Sequence, residues 1–282
     1  MSKKTLALLI ALTLTTAAFA QSHDPIRAAR SVSADAATAA VSPNAGVRPD
    51  ATSACAYTFT SGGTGGNQYL QYCVTVNGNV VEFQSPAGVE DIRAGLFTEG
   101  YAICDFFSGL GYHDYADWGD SDTGPGWGAP VLNTLNGTTV KITRSTLDGI
   151  WTLSQTFAQT ATDASVKVTM GLKNNTAVAR SVWLTRVVDI DANSTFPNIA
   201  DGTQNTAFGY QASLGYGLQL SLAAANPFPH YGFATAQVSN ACVIGTGYAG
   251  LLNGVDAVEY YYNYITVPAH GTKTVVLKYK GI

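Results

Sequence analysis

The segment from Tyr112 to Gly128, YHDYADWGDSDTGPGWG, gathers the side chains best suited to a polar ligand. Asp114, Asp117, Asp120 and Asp122 are interspersed with Tyr112, Tyr115, Trp118 and Trp127, among glycines and Pro125. Aromatic faces stack on the apolar faces of sugar rings, and carboxylates accept hydrogen bonds from hydroxyls. A loop this long within a compact domain is usually functional or disordered. The segment is therefore expected to bind carbohydrate or another neutral polar ligand through Tyr112, His113, Tyr115, Trp118 and Trp127. The competing reading is an acidic, solvated loop whose aromatic rings tuck back onto the core.

Cleaving a glycosidic bond needs two carboxyl groups flanking it. Glutamate is scarce: Glu82, Glu90, Glu99 and Glu259 are the full set. Glu99 lies near the aspartate-rich segment in sequence, so Glu99 and Asp114 are the candidate catalytic pair of a glycan-active hydrolase or lyase. Arg186 is the third candidate. By two-residue alternation it shares a strand face with Val182, Leu184, Val188 and Ile190. An arginine on an apolar face must be paired or at the surface, so it either meets a carboxylate in a cleft or serves the fold.

Calcium takes several oxygen ligands at once, and two places offer them. One is the aspartate-rich segment itself. The other is Asp189-Ile190-Asp191-Ala192-Asn193, which begins like an EF-hand loop. The sixth position is Ser194 in place of glycine and the twelfth is Ala200 in place of glutamate, so an EF-hand is excluded. A looser calcium loop would use Asp189, Asp191, Asn193 and Asp201. The alternative is a strand end whose aspartates cap a turn.

Other chemistries fare worse. His23, His113, His230 and His270 are scattered, without an H-E-x-x-H helix, although His113, Asp114 and His230 could meet in space around a metal or a ligand. No G-x-S-x-G elbow exists for a hydrolase serine. Gly62 to Gly66 lacks the lysine of a phosphate loop and reads as a turn.

The elements that must position these residues are strands. Val140 and Ile142, Trp151 to Phe157, and Val166 to Leu172 alternate apolar with polar residues at a period of two. Similar runs lie near 68–76, 79–84, 97–106, 178–191, 207–213, 216–222, 257–267 and 273–280. Asn77-Gly78 and Asn136-Gly137 are hairpin-turn signals between them. About a dozen short strands without a helical period predict an all-β fold, a large antiparallel β-sandwich over residues 53–282.

Upstream, Lys3 and Lys4, the apolar run Leu6–Leu14 and Ala18-Phe19-Ala20 form a signal-peptide pattern over residues 1–20. Residues 21–52, rich in Ala, Ser, Asp and Pro, read as a flexible linker or pro-segment. No second apolar run is long enough to span a bilayer, so the expected location is secreted or periplasmic. An even count of four cysteines in an exported chain predicts two disulfides, with Cys55–Cys73 and Cys104–Cys242 favoured. The net charge is −4, and cleavage removes Lys3 and Lys4 and no acid. Such a chain carries no overall footprint for nucleic acid or an anionic membrane. Charged residues make up only 12%, and Gly, Thr, Ser, Asn and Tyr fill the polar surface, which suits neutral polar partners.

The number and spacing of strand-like runs resemble the large sandwiches of the mutarotase type, the supersandwich, many of which handle sugars. The resemblance is one of shape and implies that architecture alone. The leading expectation is thus an exported β-sandwich that binds, and in one version processes, carbohydrate. The alternative is a non-catalytic structural or adhesion module of the cell envelope, whose partner is cell-surface material.

Overall fold

The computed structural model describes residues 55–61, 69–92, 99–116, 126–160, 163–195, 198–203, 205–223, 227–228, 230–235, 241–242, 252–255 and 258–282. The signal-peptide and linker segments, Gly62–Gly66, and Asp117, Trp118, Asp120 and Asp122 lie outside them.

Seventeen strands and one short 3-10 turn make up the described chain. In chain order the strands are β1 (Tyr57–Ser61), β2 (Leu70–Val74), β3 (Val80–Gln84), β4 (Glu99–Asp105), β5 (Leu110–Ala116) and β6 (Val131–Asn136). Then come β7 (Thr139–Ser145), β8 (Trp151–Gln159), β9 (Ser165–Asn174), β10 (Arg180–Asp189), β11 (Asn198–Gly202) and β12 (Thr206–Tyr210). The last five are β13 (Gly217–Leu222), β14 (His230–Thr235), β15 (Leu252–Val255), β16 (Val258–Val267) and β17 (Thr272–Gly281). They form three sheets, ordered β1-β2-β3, β14-β16-β10-β4-β5 and β15-β11-β12-β13-β17-β9-β8-β7-β6. Every pairing between these strands is antiparallel.

The alternation read in the sequence decides which faces meet. On β8, Trp151, Leu153, Gln155 and Phe157 are buried while Thr152, Ser154 and Thr156 are half-exposed. On β9, Val166, Val168, Met170 and Leu172 are buried, and Lys167 and Lys173 alternate with them on the exposed face. The apolar face of the nine-stranded sheet packs on that of the five-stranded sheet, with Tyr101, Ile103, Val182, Leu184 and Val188 opposite. Burying each such side chain contributes ~1.5–3 kcal/mol.

The three-stranded sheet adds Leu70, Tyr72, Val80 and Phe83 to the same core. The β2–β3 hairpin turns at Asn77-Gly78, as its sequence signal predicts. Asn77 and Asn79 are buried, at 5% and 0% exposure. Gly78 holds φ +90°, and a Cβ there would come within 2.5 Å of the Gln155 side chain. Only glycine fits both the backbone angle and the space. Cys55 bonds to Cys73 across β1 and β2, and Cys104 of β4 bonds to Cys242; both are the favoured pairings.

Residues 112–116 differ from the loop expected for them. They form the second half of β5, paired with β4 so that Tyr101 faces Asp114 and Ala102 faces His113. The physical reason is the same period of two. Tyr112 and Asp114 turn inward and are buried, while His113 and Tyr115 share the outer face.

Candidate functional site

The expected catalytic carboxylates lie in a buried polar network where the three sheets meet. Glu99 begins β4 and is 1% exposed; Arg186, mid-strand on β10, is fully buried. Arg186 is ion-paired with Glu99 through Nε and Oε1, and Nη2 donates to Glu99 Oε2 at 2.8 Å. It also donates to Gln155 Oε1, to Tyr279 Oη at 3.3 Å and to the Gly78 carbonyl at 3.1 Å. Tyr279 and the Val80 N–H donate to the same carboxylate, at 2.5 and 2.6 Å. The buried hairpin turn is therefore held by Arg186 and Glu99, which satisfy backbone groups that burial would otherwise leave unpaired. Burial pushes the Glu99 carboxyl up, to about 7, against the pull of Arg186, Tyr279 and Val80.

Asp114 belongs to an adjoining cluster. It is ion-paired with Arg144 of β7, both buried. Arg144 donates to Tyr101 Oη at 3.1 Å and to the Gly128 carbonyl at 2.9 Å, and Tyr101 donates to the Asn77 carbonyl at 2.9 Å. Trp127 packs edge-on to Tyr101 at 5.3 Å with Arg144 over its ring at 5.7 Å, and only 7% of its surface is exposed. Tyr112 donates to Asp148 at 2.6 Å. The structure thus brings Tyr112, Asp114 and Trp127 together, in the core. Tyr115 is buried on the opposite face of β5, stacked on half-buried His113 at 4.7 Å. His230 sits on β14, within hydrogen-bond distance of the Phe228 carbonyl and, at 3.1 Å, of Asn205. It stacks with Tyr261 at 6.2 Å.

The expected calcium ligands fall near the end of β10. Asp189 and Asp191 are buried, at 1% and 3% exposure. Asn193 takes a left-handed backbone (φ 56°) in the 3-10 turn, and its N–H donates to Asp91 Oδ1 at 3.2 Å. Asp201 lies on β11 and accepts the Gly202 N–H at 2.7 Å. Among the described residues, no group of three His, Cys, Asp or Glu side chains is arranged to hold a metal ion. Asp91 is a buried carboxyl that sequence reading overlooked. Burial pushes it up to about 8, with Asn193 N–H pulling down and the Glu90 charge adding to the rise.

Accessible aromatic surface occurs elsewhere, on the outer face of the five-stranded sheet. Trp183 of β10 and Tyr264 of β16 are directly paired and meet edge to face at 5.3 Å. Phe106, just after β4, completes the cluster at 6.4 Å from Trp183 and 5.8 Å from Tyr264. Phe106 is 47% and Tyr264 36% exposed. Ser181 and Thr266, paired alongside, bring two hydroxyls 2.8 Å apart to the same face. The signal for this cluster was in the sequence. The alternation that turns Val182, Leu184 and Arg186 inward turns Ser181 and Trp183 outward. The pairing of Trp183 with Tyr264 is a matter of register, which the sequence does not state.

No protein-family model and no curated protein matches the chain. Among solved structures, its neighbours include galactose mutarotase-like β-sandwich proteins and a heparan sulfate lyase. A galactose mutarotase-like protein from Lactobacillus casei ATCC 334 aligns at 8% identity and a TM-score of 0.46, over 80% of this chain and 100% of that one. A galactose mutarotase related enzyme from Lactobacillus acidophilus aligns at 5% identity and 0.41, over 80% and 97%. A heparan sulfate lyase from Pedobacter heparinus aligns at 12% identity and 0.45, over 91% of this chain and 40% of that one.

Proposed function

We propose that this is an exported glycan-binding module that takes neutral sugars on the Phe106–Trp183–Tyr264 cluster. One observation carries the reading: three aromatic rings, partly open to solvent, meet on the outer face of the five-stranded sheet beside a pair of hydroxyls. An exposed apolar patch with a polar rim marks an interaction site. Ring faces offer apolar contact to a sugar, and Ser181 and Thr266 offer hydrogen bonds to its hydroxyls. In this reading Glu99 and Asp114 serve the fold, as their burial and ion pairs with Arg186 and Arg144 favour. Export is the reading of the signal-peptide pattern, and two disulfides agree with an oxidising compartment. Among the described residues, no helix is long and apolar enough to cross a membrane.

A broad array of neutral glycans, probed with the mature chain and with Trp183→Ala, tests the proposal. Trp183 is half-exposed, so the variant should fold, which a melting curve checks. The expected result is a signal that the variant loses. Silence across the array, or an undiminished signal from a folded variant, would refute it.

A further inference from the structure

Six of the chain's eight lysines lie on the nine-stranded sheet: Lys141 on β7, Lys167 and Lys173 on β9, and Lys273, Lys278 and Lys280 on β17. Across all nine of its strands the only acidic residue is Asp201 of β11. In a chain of net charge −4, this is a strong separation of sign.

The register shows which of these lysines share a face. Lys167 and Lys278 are directly opposed on β9 and β17, a spacing of about 5 Å. Lys280 stands two residues further along β17, about 7 Å away. Lys141 lies two strands over, aligned through Thr156 to Thr169 of β9, about 10 Å across the sheet. Lys173 is six residues along β9 from Lys167, about 20 Å. All five point away from the core, since the residues alternating with them are buried. Among the described residues, Asp163 lies 3.6 Å from Lys278.

We infer that this face binds an acidic polysaccharide. Charge complementarity calls for a polyanion, and the spread of the lysines over about 20 Å exceeds what a small anion would span. Between the lysines the face carries hydroxyls, Thr156 and Thr169 among them, which can hydrogen-bond sugar hydroxyls. Among the described residues it carries no arginine: Arg144 turns inward, and Arg180 and Arg186 belong to the other large sheet. Nucleic-acid phosphates are better met by guanidinium forks. A lipid surface is better met by apolar side chains that insert beside the charges. This face is distinct from the aromatic cluster, so the inference stands or falls separately from neutral-glycan binding.

The test is retention of the mature chain by polygalacturonate and by dextran sulfate at low salt. Neutral dextran, a DNA duplex and phosphatidylglycerol vesicles are the comparators. The expected result is retention by at least one acidic polysaccharide, weakening as salt rises. Lys167→Glu/Lys278→Glu should weaken it about tenfold or more, or ~1.4 kcal/mol. Lys167→Arg/Lys278→Arg and Trp183→Ala should leave it largely intact. No retention at low salt overturns the inference, as does retention that charge reversal leaves unchanged. Equal or tighter retention by DNA or vesicles assigns the face to another class of partner. Loss on Trp183→Ala moves the site to the aromatic cluster.

Discussion

Replacing Arg186 by Met isolates the structural role assigned to Glu99. The variant keeps the volume of the aliphatic stem but removes the guanidinium. Glu99 then loses its counter-charge, and Gln155 Oε1 and the Gly78 carbonyl lose the donor that Arg186 provides. Removing one partner of a buried pair costs ~3–5 kcal/mol. For a domain of this size ~1 kcal/mol is a shift of about 2–4 °C, so melting should fall by about 6–20 °C at pH 8. The loss should depend on pH. Burial already holds the folded carboxyl near 7, above the ordinary glutamate value of 4.5, and without Arg186 it rises further. A group raised in the folded state contributes stability that is lost as pH rises through its folded pKa. The deficit should therefore shrink at pH 5, where the buried carboxyl is protonated. Glu99→Gln/Arg186→Met should recover part of the loss, a coupling of ~1–3 kcal/mol between touching residues. Circular-dichroism melts at both pH values decide it. An Arg186→Met protein that melts within a couple of degrees of wild type at pH 8, or equally destabilised at both pH values, would contradict the reasoning.

Three further outcomes follow from the same packing. Asp91→Asn keeps an acceptor for the Asn193 N–H but removes a carboxyl that burial raises to about 8 from 3.8. Wild-type stability should decline as pH rises from 4 through 8, and the variant should lose less, measured by denaturant midpoint across that range. Gly78→Ala forces a side chain onto φ +90° and against Gln155, so a loss of ~1–3 kcal/mol is expected; a neutral result would mean that the turn is not buried. Removing Cys104–Cys242, with a separation of 138 residues, should cost ~5 kcal/mol, against ~3 for Cys55–Cys73, with a separation of 18. Paired Cys→Ser variants compared by chemical denaturation give the order.

The fold was largely legible because a period of two is a local signal. Trp151–Phe157, Val166–Leu172 and the Asn77-Gly78 turn appear where their residues place them. Both disulfide pairings were favoured on the same reading. The site was less legible because it depends on which strands become neighbours. Tyr112 and Trp127 looked like a binding loop, yet Tyr112 stands on an inward strand face and Trp127 is buried against Tyr101. Arg186 was set on an apolar face correctly, but its partner, Glu99, is 87 residues away in the chain. Alternation alone turns Trp183 outward, but its partner Tyr264, and so the candidate surface, comes only from the β10–β16 register. The lysine face likewise comes from three strands distant in sequence, and overall composition averages it away.

The central claim is that glycan sits on the outer face of the five-stranded sheet. Calorimetric titration of an array-positive neutral glycan into wild type, Trp183→Ala, Tyr264→Ala and Lys167→Glu tests it most directly. Both aromatic variants should lose about tenfold or more in affinity, roughly 1.4 kcal/mol, with the lysine variant unchanged. Wild-type affinity in both folded aromatic variants would contradict the account.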